Sequence, residues 1–336
     1  GAIALLESAG VVNHLSFGSE CGCTESLEQI AACLSSAPCQ EAIKALSDTG
    51  LPFAQCRQRA VEAILGNEAA SPLSRPNNNL GIEYIRALKD LHSSIRPMTV
   101  LRRGAQHNGL AFVRDEEDSP LPGSAATDMP QFVSATQLRM DLMDGRWDRA
   151  EHYLGAEGRA LLEGNTVGLP GLGRVERAIL AKFRTMTAED WAQLPDSGQA
   201  EGLPQRLERA GRSCTNLQEF NAVKVKRFTH ARLRRLVLRA YLGIVQSEVP
   251  DKPPYLRVLG MTTRGRELLR DMKQRATLPI LTKPAHVRTL SSEGQRLFEL
   301  ESRCTDLYDL CFETVPAPGR EWRTGPVVLE EESNGR

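Results

Sequence analysis

The sequence predicts an α/β fold: a Rossmann-like parallel-sheet domain, incomplete at its amino end, followed by a mainly helical domain. Three observations carry this reading. Helix and strand signals alternate up to about residue 140, the pattern of a parallel sheet. Beyond Asp144 the strand signals thin out. A block of basic residues with no acid among them lies only in the second part.

Ala2 to Ala9 reads as the end of a helix stopped by Gly10, and Val11 to Phe17 as a short buried strand running into Gly18. The periodicity therefore places the start of the sequence inside an αβ unit. One helix fits Glu25 to Leu46, and a shorter one Phe53 to Leu65. Pro76-Asn77-Asn78-Asn79 signals a turn and cap ahead of the helical pattern Leu80, Ile82, Tyr84, Ile85, Leu88 and Leu91. A strand Met98 to Leu101 ends at Arg102-Arg103-Gly104, a polar loop fills Gln106 to Pro130, and Ser134-Ala135-Thr136 caps a helix near Gln137. Further helices fit Trp147 to Leu154, Gly158 to Glu163, Val175 to Arg184, Leu203 to Gly211, Leu217 to Ile244 and Glu293 to Phe312. The expected domains are 1–144 and 145–329, with an acidic tail over 330–336.

Composition narrows the classes. With 336 residues, 41% hydrophobic and 25% charged, the chain is of globular type and long enough for two domains. Apolar runs fall well short of the roughly 18 to 20 residues that span a bilayer, and no basic segment followed by an apolar one opens the chain. No membrane partner and a cytoplasmic location are expected. Cys21-Gly22-Cys23 is a C-x-C pair with no second pair or histidines at close spacing, so no metal site is expected there.

Three turns in the first domain lie where strands and loops meet, the places at which open α/β sheets bind ligands. Gly18 would let a nucleotide lie against the backbone, although a plain turn is the commoner use. Arg102 and Arg103 could clamp phosphate oxygens or form a solvated pair. Ser134, Thr136 and Arg139 combine helix-start amides, hydroxyls and a guanidinium, fit for a triphosphate or serving as an ordinary cap.

From Phe220 to Ser247 no Asp or Glu occurs, while Lys224, Lys226, Arg227, Arg232, Arg234, Arg235 and Arg239 crowd together with His230. Helical spacing puts Lys224, Arg227, Arg232, Arg235 and Arg239 on one face and Leu233, Leu236, Val237 and Ala240 on the other. Solvated basic faces usually interleave acids for i,i+4 support. Contact with an RNA phosphate backbone is the favoured reading, with no DNA partner expected.

Taken in order, these segments resemble the tRNA(Met) cytidine acetate ligases, a branch of the nucleotidyltransferase-like fold. The carriers are Leu15 to Glu20, Pro76 to Tyr84, Arg102 to Ala105, Ser134 to Arg139, Glu201 to Leu203, Lys224 to Arg235 and Pro254 to Gly260, so the likeness runs to about Arg270. It implies ATP contacts at Gly18, Asn77 and Arg102, ATP as co-substrate with Mg2+, and acetate activated as acetyl-adenylate. It also implies transfer of the acetyl group to the wobble cytidine of elongator methionine tRNA, and tRNA contact by the basic helix. The family's opening His-x-Gly-His loop has no counterpart here: His14, His92, His107, His152, His230 and His286 are isolated. One or two βαβ units of some 30 residues are therefore expected upstream, with the catalytic residues unassigned and catalysis incomplete in these 336 residues. Asn79 stands for an aliphatic residue, and Val225 and Phe228 for Thr and Tyr. Two alternatives stay open. One is a non-catalytic RNA-binding protein on a remnant nucleotidyltransferase fold; the other, a small-molecule nucleotidyltransferase, leaves the basic domain without a use.

Overall fold

The computed structural model describes residues 1–102, 135–165, 167–198, 202–221 and 230–329. They form two compact units: Val12–Asn165, and a helical unit in which Gly1–Val11 join Thr166–Arg336. The chain opens with α1 (Ala2–Ser8), which Gly10 terminates at φ +69°. Although α1 precedes the first strand, it belongs to the helical unit. Its Ile3 is buried, and Ser8 O accepts from Thr277 N at 2.9 Å. The αβ unit that periodicity predicts for α1 and the following strand does not form; no local pattern encodes a partner as distant as Thr277.

In the first unit come β1 (His14–Ser19), α2 (Thr24–Ser35), α3 (Ala37–Asp48), α4 (Phe53–Leu65), α5 (Asn67–Ala70), α6 (Pro76–Asp90) and β2 (Arg96–Leu101). After the stretch outside the described residues come α7 (Ala135–Met143) and α8 (Trp147–Glu163), the latter broken at Gly155, φ +72°. The helix expected over Glu25 to Leu46 is two helices: Ser36 is extended and Pro38 stands in the first turn of α3, because proline lacks the N–H that would continue the preceding helix. β1 and β2 pair in parallel, Gly18 opposite Val100 and Ser19 opposite Leu101. Leu27, Ile30, Leu34, Val61, Ile82 and Ile85 make the core beneath them. Gly81 is required there, since a Cβ would stand 2.4 Å from Phe17 Cε2. Phe17 also meets Tyr84 edge-on at 5.8 Å.

The helical unit contains α9 (Glu176–Thr185), α10 (Ala188–Ala192), α11 (Leu203–Ser213), α12 (Leu217–Asn221) and α13 (His230–Leu242). Then follow β3 (Leu256–Arg257), β4 (Gly260–Thr262), α14 (Thr263–Arg275), β5 (Ile280–Leu281), α15 (Ser292–Asp309), α16 (Arg320–Arg323) and β6 (Val327–Leu329). Its main core stacks Phe183, Trp191 and Phe220, with centroids 4.4 to 5.8 Å apart, against Leu203, Leu207, Leu233 and Leu236. Four strands that the sequence reading did not anticipate form two short parallel pairs, β3 with β5 and β4 with β6. Beside them Arg257 lies over the Phe298 ring at 4.9 Å and donates to Glu301 at 2.8 Å and to Glu321.

Candidate functional site

At the carboxyl ends of β1 and β2 a hydrogen-bond network joins residues far apart in sequence. The Glu20 carboxylate, just past β1, accepts from Asn77 Nδ2 at 2.6 Å, Asn78 N at 2.8 Å and Asn77 N at 3.2 Å. It thus sits on the first turn of α6, where free amides and the helix dipole favour an anion. The helix starts at Pro76, four residues before the expected Leu80, because proline is tolerated at its first position and Glu20 satisfies the next amides. Asn78, itself buried, returns the contact: its Oδ1 accepts from Glu20 N at 2.8 Å and Cys21 N at 3.1 Å, and its Nδ2 donates to Pro72 O. Burial pushes the Glu20 carboxyl up, but the donors from Asn77 and Asn78 outweigh it and hold the group below its ordinary value.

Asn77 is fixed by chemistry on both sides. A carboxylate only accepts and a guanidinium only donates, so the amide must turn Nδ2 to Glu20 and Oδ1 to Arg102 Nη1, 2.9 Å away. Gly18 completes the arrangement. A Cβ there would stand 2.9 Å from Arg102 Cγ and 3.3 Å from Cδ, so the glycine gives its space to the arginine stem, beyond offering a bare backbone. Ser19 is buried, hydrogen-bonded to Thr99 Oγ1 at 2.6 Å and accepting from Gly22 N, and it locks the two strand ends together. Gly18, Asn77 and Arg102 are therefore gathered at one point with Arg102 exposed to solvent. Thr136 and Arg139 are exposed on the first turns of α7, and Ser134 lies outside the described residues.

In the helical unit, α13 buries Leu233, Leu236, Val237 and Ala240 and turns its arginines outward, as the spacing predicts. Lys224, Lys226 and Arg227 lie outside the described residues. The helix itself carries no acid, as its sequence reads, and its arginines are met from another element by Asp196, in the loop after α10. Its carboxylate lies 2.7 Å from Arg235 Nη2, 3.5 Å from Arg232 Nε and 3.9 Å from Arg239 Nη1. Arg234 is exposed and has no ion-pair partner among the described residues.

A family model described as HIGH Nucleotidyl Transferase matches residues 1–320. A tRNA(Met) cytidine acetate ligase of Caldanaerobacter subterraneus is 33% identical over 323 residues, covering 93% of this chain and 75% of the relative. One from Thermoanaerobacter is 29% identical, covering 96% and 77%. Thermotoga maritima TmcAL, in an apo crystal structure, superposes with a TM-score of 0.87 at 27% identity over 98% of this chain and 80% of that one. This chain belongs to the tRNA(Met) cytidine acetate ligase family. A second crystal structure of Thermotoga maritima TmcAL, bound with alpha-thio ATP, gives a TM-score of 0.85 at 26% identity.

This ligase family has the α/β nucleotidyltransferase fold that the sequence predicts. Two residues escaped that reading: Glu20, 57 positions from Asn77, and Asp196, 39 from Arg235. Only the Leu15-Ser16-Phe17-Gly18-Ser19-Glu20 segment itself could have drawn attention to Glu20. Chemically, the first unit offers a guanidinium held at a strand end for anionic oxygens, and the second offers clustered guanidiniums on a rigid helix.

Proposed function

We propose that the enzyme activates acetate with ATP and acetylates the wobble cytidine of elongator methionine tRNA. A carboxylate oxygen of acetate attacks the α-phosphorus of ATP, pyrophosphate leaves, and acetyl-adenylate forms. The exocyclic amine of the cytidine then attacks the acetyl carbon, AMP departs with the bonding electrons, and the amine loses one proton. The observation that carries the reading is the convergence of Gly18, Asn77 and Arg102 at the β1–β2 strand ends. Arg102 there supplies a fixed positive charge for phosphate oxygens, in a family with an ATP-analogue complex among its solved structures. Thr136 and Arg139 on α7, with Ser134, are the second set of proposed phosphate contacts.

Mg2+ would arrive with the ATP, held mainly by phosphate oxygens. Among the described residues no group of three His, Cys, Asp or Glu could hold a metal ion, and the Glu20 carboxylate already accepts three N–H donors. The basic helix, with Arg232, Arg234, Arg235 and Arg239 and the preceding Lys224, Lys226 and Arg227, is the proposed tRNA contact. No described helix is long and apolar enough to cross a membrane, and ATP and tRNA as substrates fit a cytoplasmic location. The alternative of a non-catalytic RNA-binding remnant is not favoured, because the relatives are ligases over nearly the whole chain. Nucleoside analysis of tRNA from cells with and without the gene tests the proposal. Acetylated cytidine should disappear from the methionine tRNA of the deleted strain; its persistence at the wild-type level would refute the assignment.

A further inference from the structure

The arginines of α13 are not independent surface charges, because one carboxylate from another element gathers three of them. Asp196 stands in the left-handed region, φ +63°, in a loop fixed to the core. Trp191 and Leu194 before it are buried, Ser197 after it is buried and donates to Ala192 O at 2.9 Å, and Gln193 O accepts from Gln246 N at 2.8 Å. The backbone contributes too: Arg232 Nε donates to Asp196 O at 3.0 Å, and Arg239 Nη1 donates to Pro195 O. Three guanidiniums face one carboxylate on a rigid base. The Arg235 side chain stays 52% exposed while held at 2.7 Å.

We propose that Asp196 is a positioning residue that sets Arg232, Arg235 and Arg239 as a preformed fork for the phosphodiester backbone of the RNA. The inference rests on the tRNA reading of α13 and adds to it a residue whose charge has the wrong sign for binding an anion directly. Two effects compete. A carboxylate near phosphates repels them, but the pair is solvent-exposed and screened by salt. Free arginine side chains, in contrast, lose rotamer freedom when they bind, and a fork held in advance avoids that loss.

The effects predict opposite signs, and the full chain titrated with methionine tRNA at several salt concentrations separates them. The variants are Asp196→Asn, Asp196→Gly, Arg235→Ala and Arg234→Ala; both replacements at 196 tolerate a left-handed backbone. Arg235→Ala is expected to weaken binding and to flatten the salt dependence by about one unit. Asp196→Gly is expected to weaken binding by about three- to tenfold, and Asp196→Asn by less, since an amide oxygen still accepts from one guanidinium. If Arg235→Ala weakens binding while both Asp196 variants bind more tightly with a steeper salt slope, Asp196 is only a repulsive neighbour. The proposal then fails and the tRNA reading stands. If Arg235→Ala and Arg234→Ala both bind like wild type, the tRNA reading fails and takes the fork with it. Melting curves of each variant keep loss of fold apart from loss of binding.

Discussion

Glu20 and Arg102 act through the same asparagine, and that makes single substitutions informative. Arg102→Ala removes a charged donor, so ATP binding measured by calorimetry should weaken by about 1.5 to 3 kcal/mol, the size of a hydrogen bond to a charged group. Gly18→Val should weaken ATP in the same direction without touching any charge, because its side chain needs the space of Arg102 Cγ and Cδ. Unchanged affinity in both would remove Arg102 from the phosphate site. Glu20→Gln instead tests the seat of α6. A glutamine cannot accept at both oxygens, so the variant should lose about 1 to 2 kcal/mol at neutral pH. The Glu20 carboxyl is held below its ordinary 4.5, so its contribution is full above that value and is lost as pH falls through the lowered one. Denaturation at pH 7 and in progressively more acid buffer should therefore show wild type and variant converging as pH falls. The strand-end residues were legible in sequence because Gly18, Asn77 and Arg102 stand in short segments with turn signals. Glu20 and Asp196 were not, since their partners lie 36 to 58 positions away and no local pattern encodes such a contact.

Helix α13 separates packing from charge on two faces. Leu236 is fully buried against the Phe183, Trp191 and Phe220 cluster, so Leu236→Ala should lower stability by about 2 to 5 kcal/mol in thermal or chemical unfolding. Arg234→Ala, on the exposed face, should stay within about 0.5 kcal/mol of wild type in the same assay. This division could be read from helical spacing alone, because one apolar face is enough to define an amphipathic helix. The short parallel pairs β3–β5 and β4–β6 could not. Strands of two or three residues are too brief for an alternation pattern, and their pairing is decided by contacts across the chain. Helix length failed in the same way at Ser36, where the 3.6-residue pattern runs through but Pro38 requires a new start.

At the scale of the whole chain, the first eleven residues belong with the last 171 and not with the strand they lead into. Gly10 makes the turn out of α1: at φ +69° it lies against Arg275 at the end of α14. A Cβ at position 10 would stand 2.7 Å from Arg275 O and 2.8 Å from Arg275 Cβ, a collision with backbone that no side-chain rotation relieves. Gly10→Ala therefore adds overpacking to the cost of a left-handed alanine, about 2 to 5 kcal/mol together. Because α1 is tied through Ser8 O to Thr277 N, that cost falls on the helical unit. Hydrogen exchange followed by mass spectrometry should show faster exchange in α14 and around Thr277 in the variant. The amides of α2, α4 and α6 should keep wild-type protection. The reverse pattern, with α2 and α6 loosened and α14 unchanged, would mean that the opening helix stabilises the sheet-bearing unit and that its assignment to the helical unit is mistaken.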